Sequence, residues 1–403
     1  MSEFQNYAPD ENNWKEKRQV VQEIPYPEFW TPELALKWAK EIPEQLEQDY
    51  ETPLIELDLT AEGYGKILIK NEADRSINPT GTMKDRLGRS VAALYRSNAR
   101  WALEYRENDP EYAQRFPEMR IPRYSMLTAG NAGMALANTF KSLGLPQPKL
   151  LLDKHTSPQT IEKLKKAGAD IYVVDLATNP FSDLPSDQAP LTPGEILTLT
   201  NNRYGKDLTS SNSEEDLIAP EVIYYQDLAE QIFKETPDEI YVPYGSGALF
   251  GEIVVRQNFN VWDVDEGKIR SQVAQTKILG AEPKNPNSIA DKLTAPAKPF
   301  PTQWEKALNI YKEHGETNEE TGIEKIAEED IITAYELLKR RGAPLGIETE
   351  PSATAGLALY MRRWREGKIK KDAKIIVVNT GKGVISDPKE IEISPRQVPK
   401  NLL

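Results

Sequence analysis

The stretch ILIKNEADRSINPTGTMKDR, residues 67–86, holds the signals that decide the fold. Its apolar start, residues 67–72, predicts a β-strand, and the glycine- and proline-bearing segment NPTGTMKDR, residues 78–86, predicts a turn. Apolar residues at helical spacing follow the turn: Leu87, Val91 and Leu94. Lys84 is therefore expected at the start of a helix that follows a strand, and ligands of open parallel sheets bind at such places.

Short apolar runs alternate with helical periods along the rest of the chain. The further predicted strands are RYSMLTAG from residue 123, KLLLD from 149, DIYVVD from 170, EIYVPYG from 239, KILGAEP from 277 and KIIVVNTG from 374. Because parallel strands need crossover connections, this alternation predicts an α/β fold with parallel sheets covered by helices. A length of 403 residues favours two closely joined domains over a single core. The polar, proline-rich segment 177–220 is expected to be a long loop or an insertion.

Two further predicted strand ends carry glycines ahead of a helix. In LTAGNAGMALA, residues 127–137, small side chains let the backbone approach a ligand closely, and the N–H groups near Asn131 suit a carboxylate. In YGSGALFGEIV, residues 244–254, successive N–H groups can surround a dianionic phosphate at a helix start. The residues of this predicted phosphate cup are Gly245, Ser246, Gly247, Ala248 and Leu249. Close helix packing and a tight turn explain the same two patterns, so both interpretations stay open at this point.

The last predicted strand ends in VVNTGKGVISD, residues 377–387. Thr380 offers a neutral hydroxyl there, and Gly381 and Gly383 leave room for a planar ring. At the first turn, the positive end of the helix dipole is expected to lower the pKa of Lys84 toward the neutral amine that a Schiff base requires. An ordinary turn and a solvated helix lysine are the alternative explanations of these two features.

The composition excludes several classes of site. The chain has no cysteine, which excludes disulfides, thiolate nucleophiles and cysteine metal sites. Its two histidines, His155 and His314, are expected to be structural or on the surface. A net charge of −13 argues against nucleic acid as the main partner. Because no stretch resembles a signal peptide or a membrane-spanning helix, the sequence predicts a soluble, cytoplasmic protein with no metal and no membrane partner.

Taken together, the four turns resemble the fold type II pyridoxal-phosphate enzymes, the family of tryptophan synthase β, cysteine synthase, threonine synthase and threonine deaminase. The resemblance spans residues 52–388 and rests on several motifs that occur in the family's order. They are TPLIEL from residue 52, NPTGTMKDR from 78, AGNAGMALA from 129, GSGALFG from 245, ILGAEP from 278 and EPSATAGLA from 350. The resemblance implies a two-domain fold with twisted, mostly parallel sheets and pyridoxal 5′-phosphate as the cofactor.

The resemblance also implies roles for individual residues. Lys84 would bind the cofactor covalently and, once a substrate has displaced it, would move the α-proton. Asn131 would hydrogen-bond the phenolic oxygen of the ring, and residues 245–249 would hold the phosphate. Thr380 would face the pyridine nitrogen, where a hydroxyl favours elimination and replacement over transamination. The loop that would bind the substrate carboxylate is formed by Thr128, Ala129 and Gly130.

The subfamily motifs point in two directions. TGKGVISDP, residues 380–388, and EPSATAG resemble threonine synthases, whereas NPTGTMKDR and AGNAGMALA resemble cysteine synthases. Ala129 stands where cysteine synthases have serine, and Ser386 stands where the threonine synthase ending has lysine. We expect threonine synthase-like conversion of phosphohomoserine to threonine. The alternative is a β-replacement synthase that uses an activated serine, or a related dehydratase or specialised enzyme.

A threonine synthase must hold the phosphate of its substrate, which calls for cations in the cleft, and Arg86 and Lys382 are the candidates by position. The intact set of motifs argues against a non-catalytic relative. The expected domains are an N-terminal extension that packs on the body at 1–50, a large domain at 51–85 and 178–403, and a small mobile domain at 86–177. Relatives are commonly dimers, so the expected partners are a small amino-acid substrate and a second copy of the chain.

Overall fold

The computed structural model of this protein describes most of the chain. The described residues are 18–19, 29–42, 50–115, 121, 123–128, 130–153, 156–174, 205–208, 225–262, 275–294, 308–309, 311–314 and 317–383. Most of the predicted insertion at 177–220 lies outside them, as do Ala129, His155 and Ser386. His314 is exposed.

The described residues contain eleven strands and nine α-helices. The strands are β1 (Arg18–Gln19), β2 (Leu54–Asp58), β3 (Lys66–Asn71), β4 (Arg123–Leu127), β5 (Lys149–Asp153), β6 (Asp170–Val174), β7 (Gly205–Asp207), β8 (Glu239–Pro243), β9 (Lys277–Pro283), β10 (Gly322–Ile326) and β11 (Ile375–Asn379). The helices are α1 (Pro32–Glu41), α2 (Asp85–Asn108), α3 (Pro110–Arg115), α4 (Asn131–Leu143), α5 (Pro158–Lys166), α6 (Gln226–Phe233), α7 (Ala248–Trp262), α8 (Glu328–Gly342) and α9 (Ala355–Arg365). No helix in this part of the chain combines the length and the apolar character that crossing a bilayer requires.

The chain divides into two compact units. Unit 1 contains Met1–Pro43 and Val91–Asn212, and unit 2 contains Glu44–Ser90 and Ser213–Leu403. Each unit has its own sheet. The domain boundaries expected from the sequence stay a prediction.

The sheet of unit 2 has six strands in the order β10-β9-β8-β11-β3-β2. Every neighbouring pair is parallel except β2 with β3, which is antiparallel. The central strands β8 and β11 are buried along their full length. Strands that are covered on both faces read as continuous apolar runs, which is why the sequence pattern found them. The predicted α/β fold with mostly parallel sheets is confirmed.

Two apolar cores cover the two faces of this sheet. Successive side chains of a strand point to opposite faces, so Tyr241 and Val377 lie in one core while Ile240 and Val378 lie in the other. Residues of α8 and α9 complete the first core, and residues of α6 and α7 complete the second. Each apolar side chain buried in this way contributes about 1.5–3 kcal/mol. With both faces covered, the ends of the strands are where polar chemistry has room.

The sheet of unit 1 has five strands in the order β1-β6-β5-β4-β7. Strand β1 is antiparallel to β6, and the other pairs are parallel. Strand β7 lies within the segment that the sequence predicted as a loop or insertion. Its three residues, GKD, are too short and too polar for an apolar pattern to reveal a strand.

An aromatic cluster holds the described part of the N-terminal segment in unit 1. Trp38 of α1 makes edge-to-face contacts with Trp30 and with Tyr95 of α2, and Tyr95 makes similar contacts with Tyr124 and Phe140. The ring centroids lie 5.2–5.5 Å apart. Such contacts contribute about 0.5–1.5 kcal/mol each beyond the burial of area. Residues 29–42 are therefore an integral part of the unit 1 core.

Candidate functional site

The lysine turn, residues 78–86, joins β3 to α2 and places Lys84 directly before the first helical residue, Asp85. The Asp85 carboxylate accepts hydrogen bonds from the backbone N–H and the hydroxyl of Thr80, at 2.9 and 2.8 Å. These bonds join the lysine turn to the first residue of the helix that follows it. They also put negative charge in the first helical turn, where the helix dipole favours it. Lys84 thus lies at a helix start, as its sequence context predicts.

The lysine turn is bonded to the threonine turn, residues 380–383, which follows β11. The Met83 N–H donates to the Thr380 carbonyl at 3.0 Å, and the Lys382 N–H donates to the Gly81 carbonyl at 2.9 Å. Both bonds join backbone groups only. The first and the fourth of the predicted turns therefore form one piece of structure.

Gly381 makes this close approach possible. Its φ is +117°, a backbone conformation that favours glycine. A Cβ atom there would collide with the Gly81 carbonyl oxygen and lie 2.7 Å from the Cα of Thr82. The glycine is needed because the backbone of the lysine turn occupies the space of a side chain.

The amine of Lys84 lies against Tyr225. Lys84 Nζ donates a hydrogen bond to the phenolic oxygen at 2.8 Å and lies 5.3 Å from the centroid of the ring. Burial lowers the pKa of Lys84 to about 8, so burial accounts for the shift that the sequence argument ascribed to the helix dipole. Near pH 7, roughly a tenth of such amines are neutral, against a negligible fraction for an ordinary lysine. Burial also raises the pKa of Tyr225 well above its usual value, so the phenol stays neutral.

A second lysine shows that a low pKa alone does not mark a reactive amine. Lys70 is almost completely buried within β3, and burial lowers its pKa to about 8 as well. Its Nζ donates to the carbonyl of Thr52. Lys84 differs from Lys70 in lying at a helix start, where the lysine turn is bonded to the threonine turn.

A buried ion pair lies next to the lysine turn. Arg86 Nε donates to Glu72 Oε2 at 2.8 Å, and both side chains are almost completely buried. Burial raises the pKa of Glu72, but the charge and hydrogen bonds of Arg86 outweigh burial, so the pKa is lowered. Arg86 Nη2 also donates to Gln231 of α6 and to the Tyr50 carbonyl. Because these contacts commit Arg86 to the interior of unit 2, we leave it out of the proposed substrate site.

The glycine-rich turn, residues 244–249, leads from β8 into α7, a helix of 15 residues. Gly247 has a φ of +86°, which favours glycine and turns the chain into the helix. A Cβ atom on Gly245 would lie 3.2 Å from the Lys292 carbonyl, so the backbone is closely packed at that point. The side chain of Ser246 is exposed. The N–H groups and the positive dipole end of this helix start suit a phosphate, as the sequence predicts.

The lysine turn and the glycine-rich turn meet at one core. Met83 and Ala248 pack against the apolar cluster that contains Tyr225 and Leu249. Glu252 lies one helical turn beyond Ala248 and is buried, which raises its pKa to about 7. Its charge in turn helps to raise the pKa of Tyr225. Three of the four predicted turns therefore lie in one region of unit 2.

The threonine turn adds cations to this region. Thr380 and Lys382 are partly buried. The Lys382 carbonyl accepts a hydrogen bond from Arg75 Nη2 at 3.2 Å, and Arg75 Nε pairs with Glu348 at 3.1 Å. The side chain of Arg75 thus contacts the backbone of Lys382.

The remaining predicted loop precedes α4 and belongs to unit 1. The hydroxyl of Thr128 accepts hydrogen bonds from the N–H groups of Gly130 and Gly133, at 3.0 and 3.1 Å, so it serves the start of the helix. A Cβ atom on Gly133 would lie 2.8 Å from the Thr128 methyl group, which explains this glycine by close packing. Asn131 is the first residue of α4. The binding roles of this loop stay predictions, and Ala129 lies outside the described residues.

Sequence reasoning missed three residues of this region: Tyr225, Glu72 and Glu252. Tyr225 carries no local signal, because its contact with Lys84 joins residues 141 positions apart. The two glutamates had a signal in the sequence. Each is an acidic residue that borders or interrupts an apolar run, ILIKNE in one case and ALFGEIVV in the other. A buried carboxyl in such a run needs a partner or a raised pKa.

Known proteins match the chain across this region. The sequence model of the family described as "Pyridoxal-phosphate dependent enzyme" matches residues 46–381. A threonine synthase of Methanocaldococcus jannaschii is 25% identical over 350 residues, which cover 81% of this chain and 72% of that protein. A threonine synthase of Bacillus sp. (strain ULM1) is 28% identical over 174 residues, covering 41% of this chain and 45% of that protein. This second match therefore spans less than half the length of the relative.

A solved structure of low sequence identity shares the fold. The crystal structure of a pyridoxal 5′-phosphate-dependent aspartate racemase superposes with a TM-score of 0.56 at 18% identity. The match covers 92% of this chain and 100% of the racemase chain. With the family match, it confirms the fold class and the cofactor that the sequence predicts.

Proposed function

Because the chain belongs to the family of pyridoxal-phosphate dependent enzymes, we propose that it is a lyase of the threonine synthase type, which converts phosphohomoserine to threonine. The cofactor is pyridoxal 5′-phosphate, which withdraws electrons from the α-carbon of a bound amino acid and so makes its proton removable. The observation that carries the proposal is the amine of Lys84, whose pKa burial lowers to about 8, at a helix start beside the glycines of two turns.

The residues of unit 2 fit this cofactor in three respects. The partly neutral amine of Lys84 suits a bond to an aldehyde carbon. The start of α7, at Gly247 and Ala248, offers N–H groups to a phosphate. Gly381 lets the threonine turn lie directly against the lysine turn, and Thr380 would supply a hydroxyl for the ring nitrogen.

Lys84 also suits the proton transfer. An amine whose pKa is about 8 takes up and returns a proton near neutral pH, which a general acid–base must do. Thr380 would support elimination and replacement, because a neutral hydroxyl at the ring nitrogen would leave that nitrogen largely unprotonated. We assign proton transfer to Lys84 and control of the ring to Thr380.

The phosphate of the substrate needs a cation, and Lys382 is our candidate. It is partly buried at the threonine turn, and its carbonyl is bonded to Arg75. A positive side chain at this turn favours a phosphate ester over a neutral leaving group. Arg86 does not take part in this proposal because Glu72 already neutralises it.

The threonine synthase relatives support this assignment, as does the TGKG segment at 380–383. The second candidate is a β-replacement synthase that uses an activated serine, which the motifs NPTGTMKDR and AGNAGMALA favour. Asn131, Thr128, Ala129 and Gly130 keep their proposed roles toward the cofactor ring and the substrate carboxylate. A homodimeric, cytoplasmic enzyme remains the prediction from the sequence.

A substrate panel on purified holoenzyme tests the proposal. We expect phosphate release from O-phospho-L-homoserine together with formation of threonine. Acetate release from O-acetylserine that depends on an added nucleophile, without activity on phosphohomoserine, would establish the second candidate instead. Each substrate is offered with and without the nucleophile, so that elimination and replacement are measured separately.

Substitution of Lys84 tests which amine binds the cofactor. Lys84→Ala should remove the visible absorption band of the bound cofactor and lower kcat by roughly 10³-fold or more, because both the covalent bond and the proton transfer are lost. Lys70→Met is the matched control, since Lys70 is also buried with a pKa of about 8. The control should keep the band. A Lys84→Ala protein that retains the band would refute the assignment.

A further inference from the structure

Tyr225 lies at the start of a helix, at a position where a tyrosine side chain does not stabilise the helix. It is the N-cap residue of α6, with φ −117° and ψ 6°, and its side chain makes no capping hydrogen bond. Serine, threonine, aspartate or asparagine at an N-cap stabilises a helix by about 1 kcal/mol relative to residues that cannot cap. The phenolic oxygen of Tyr225 instead accepts the hydrogen bond of Lys84. Local stabilisation that is given up for a distant contact is typical of functional sites.

The helix that carries Tyr225 is fixed to the lysine turn at a second point. Gln231 lies further along α6, and its Oε1 accepts a hydrogen bond from Arg86 Nη2 at 3.3 Å. Gln231 Nε2 donates to the Tyr50 carbonyl, to which Arg86 also donates. Because Arg86 is only two residues from Lys84, these bonds hold α6 close to the lysine turn.

The charge of Tyr225 matters as much as its position. Burial is the largest cause of its raised pKa, Glu72 and Glu252 add to the rise, and Arg86 opposes it. The phenol therefore stays neutral around the pH at which Lys84 titrates. A carboxylate in its place would hold the amine as an ammonium ion, which cannot attack a carbonyl carbon. A neutral acceptor orients the amine without locking its charge.

From these contacts we infer that Tyr225 is a positioning residue, which holds the ε-amine of Lys84 whenever that amine is not bonded to the cofactor. This is the situation before the cofactor is captured and, in each turnover, while a substrate has displaced the lysine. The inference rests on the proposed role of Lys84. A lysine side chain has several rotatable bonds. A hydrogen bond that already holds its amine lowers the entropic cost of forming the bond to the cofactor again.

Capture of pyridoxal 5′-phosphate by cofactor-free protein, prepared from the holoenzyme, tests this inference. Capture forms a C=N bond between Lys84 Nζ and the aldehyde carbon and releases water, and its rate is followed by absorbance against pH. For Tyr225→Phe we expect a plateau rate about tenfold lower, because one hydrogen bond no longer orients the amine. The pH midpoint should fall by about half a unit to one unit, because the ammonium form loses an acceptor. Tyr241→Phe, at a buried tyrosine bonded to Glu239, should leave both values unchanged.

The outcomes separate this inference from the proposed function. A Tyr225→Phe plateau within twofold of the wild type, or an unchanged midpoint, overturns the positioning role. Borohydride trapping followed by peptide mapping identifies the modified lysine in the wild type, and a label on another lysine contradicts the role of Lys84 itself. If Tyr225→Phe does not fold, Tyr225→His and Tyr225→Leu replace it. The imidazole offers the amine an acceptor and the leucine side chain does not. Capture by Tyr225→His should therefore be faster than capture by Tyr225→Leu, and equal rates of the two variants overturn the inference.

Discussion

Tyr225 and Tyr241 are both completely buried in unit 2, and they use their hydroxyls in opposite ways. Tyr241, in β8, donates a hydrogen bond to Glu239 at the start of the same strand, whereas Tyr225 accepts one from Lys84. Burial is the main cause of a raised pKa in both. Equal burial of the same residue type therefore does not imply an equal role.

The surroundings explain the difference. Near Tyr241, Lys277 pairs with Glu239 and with Glu320, while Arg363 pairs with Glu320 and Glu324. Charges of both signs are satisfied there, so the hydroxyl is one bond in a closed network. At Tyr225 the partner is an amine with a lowered pKa, and the carboxylate of Glu72 is occupied by Arg86. A neutral acceptor beside a closed ion pair lets the amine of Lys84 gain and lose its proton near neutral pH.

The largest expected effect comes from removing one partner of the buried ion pair between Arg86 and Glu72, near Tyr225. Arg86→Leu should lower the free energy of unfolding by about 3–5 kcal/mol in urea denaturation, because the buried carboxylate of Glu72 loses the cation of its ion pair. Arg363→Leu is the matched variant near Tyr241 and should lose less, because its partner Glu320 has half of its side chain exposed. The double variant Arg86→Leu/Glu72→Leu should recover most of the loss. Equal losses in the two arginine variants would contradict the contrast between the two regions.

A smaller effect, which depends on pH, is expected at Glu252. Burial raises the pKa of Glu252 from 4.5 to about 7, so between these values the folded protein holds a proton that the unfolded chain releases. Stability is therefore lost as the pH rises through this window. Glu252→Gln should be more stable than the wild type at pH 8 by up to about 3 kcal/mol, and equal to it at pH 4.

Urea denaturation at the two pH values measures the effect of Glu252→Gln. Glu329→Gln, at an exposed position of α8, is the control and should show no such gain. A gain of the same size at pH 4 and pH 8 would mean that packing, not the charge of Glu252, decides the result.

The smallest effect is expected at Tyr241. Tyr241→Phe should lower the free energy of unfolding by about 1–2 kcal/mol, because Glu239 loses a hydrogen bond and keeps Lys277 as a partner. The rate and the pH midpoint of cofactor capture should not change. If Tyr241→Phe shifts that midpoint as far as Tyr225→Phe does, the two tyrosines are not functionally distinct.

The elements that could be predicted from the sequence are those whose own residues form a recognisable pattern. The strands that flank the site are continuous apolar runs, and the lysine turn carries its own glycine and proline, so both were predicted. The polar strand β7 carried no such pattern and was missed. Arg86 was predicted, by its position near Lys84, as a candidate to bind the phosphate of the substrate. Only the fold shows that Glu72 neutralises it.

Contacts between distant parts of the chain set the limit for the site. Tyr225 and Lys84 are 141 positions apart in the sequence, and no pattern near either residue predicts their contact. The pKa of Lys84 was expected to fall, but burial is the cause in the folded protein, and burial depends on helices that the turn itself does not contain. Residue types at a strand end could be predicted, whereas their neighbours in space could not.

The order of strands in unit 2 has a consequence for the biosynthesis of the enzyme. Strand β11 is the last of the described strands to be translated, yet it lies between β8 and β3 in the middle of the sheet. A ribosome-bound chain that ends before residue 375 holds two separate half-sheets and lacks the backbone partners of Gly81 and Met83. Such a nascent chain exposes two unpaired strand edges, which are prone to aggregation. We therefore expect pyridoxal 5′-phosphate to bind only after β11 has been made, when the lysine turn has its backbone partners.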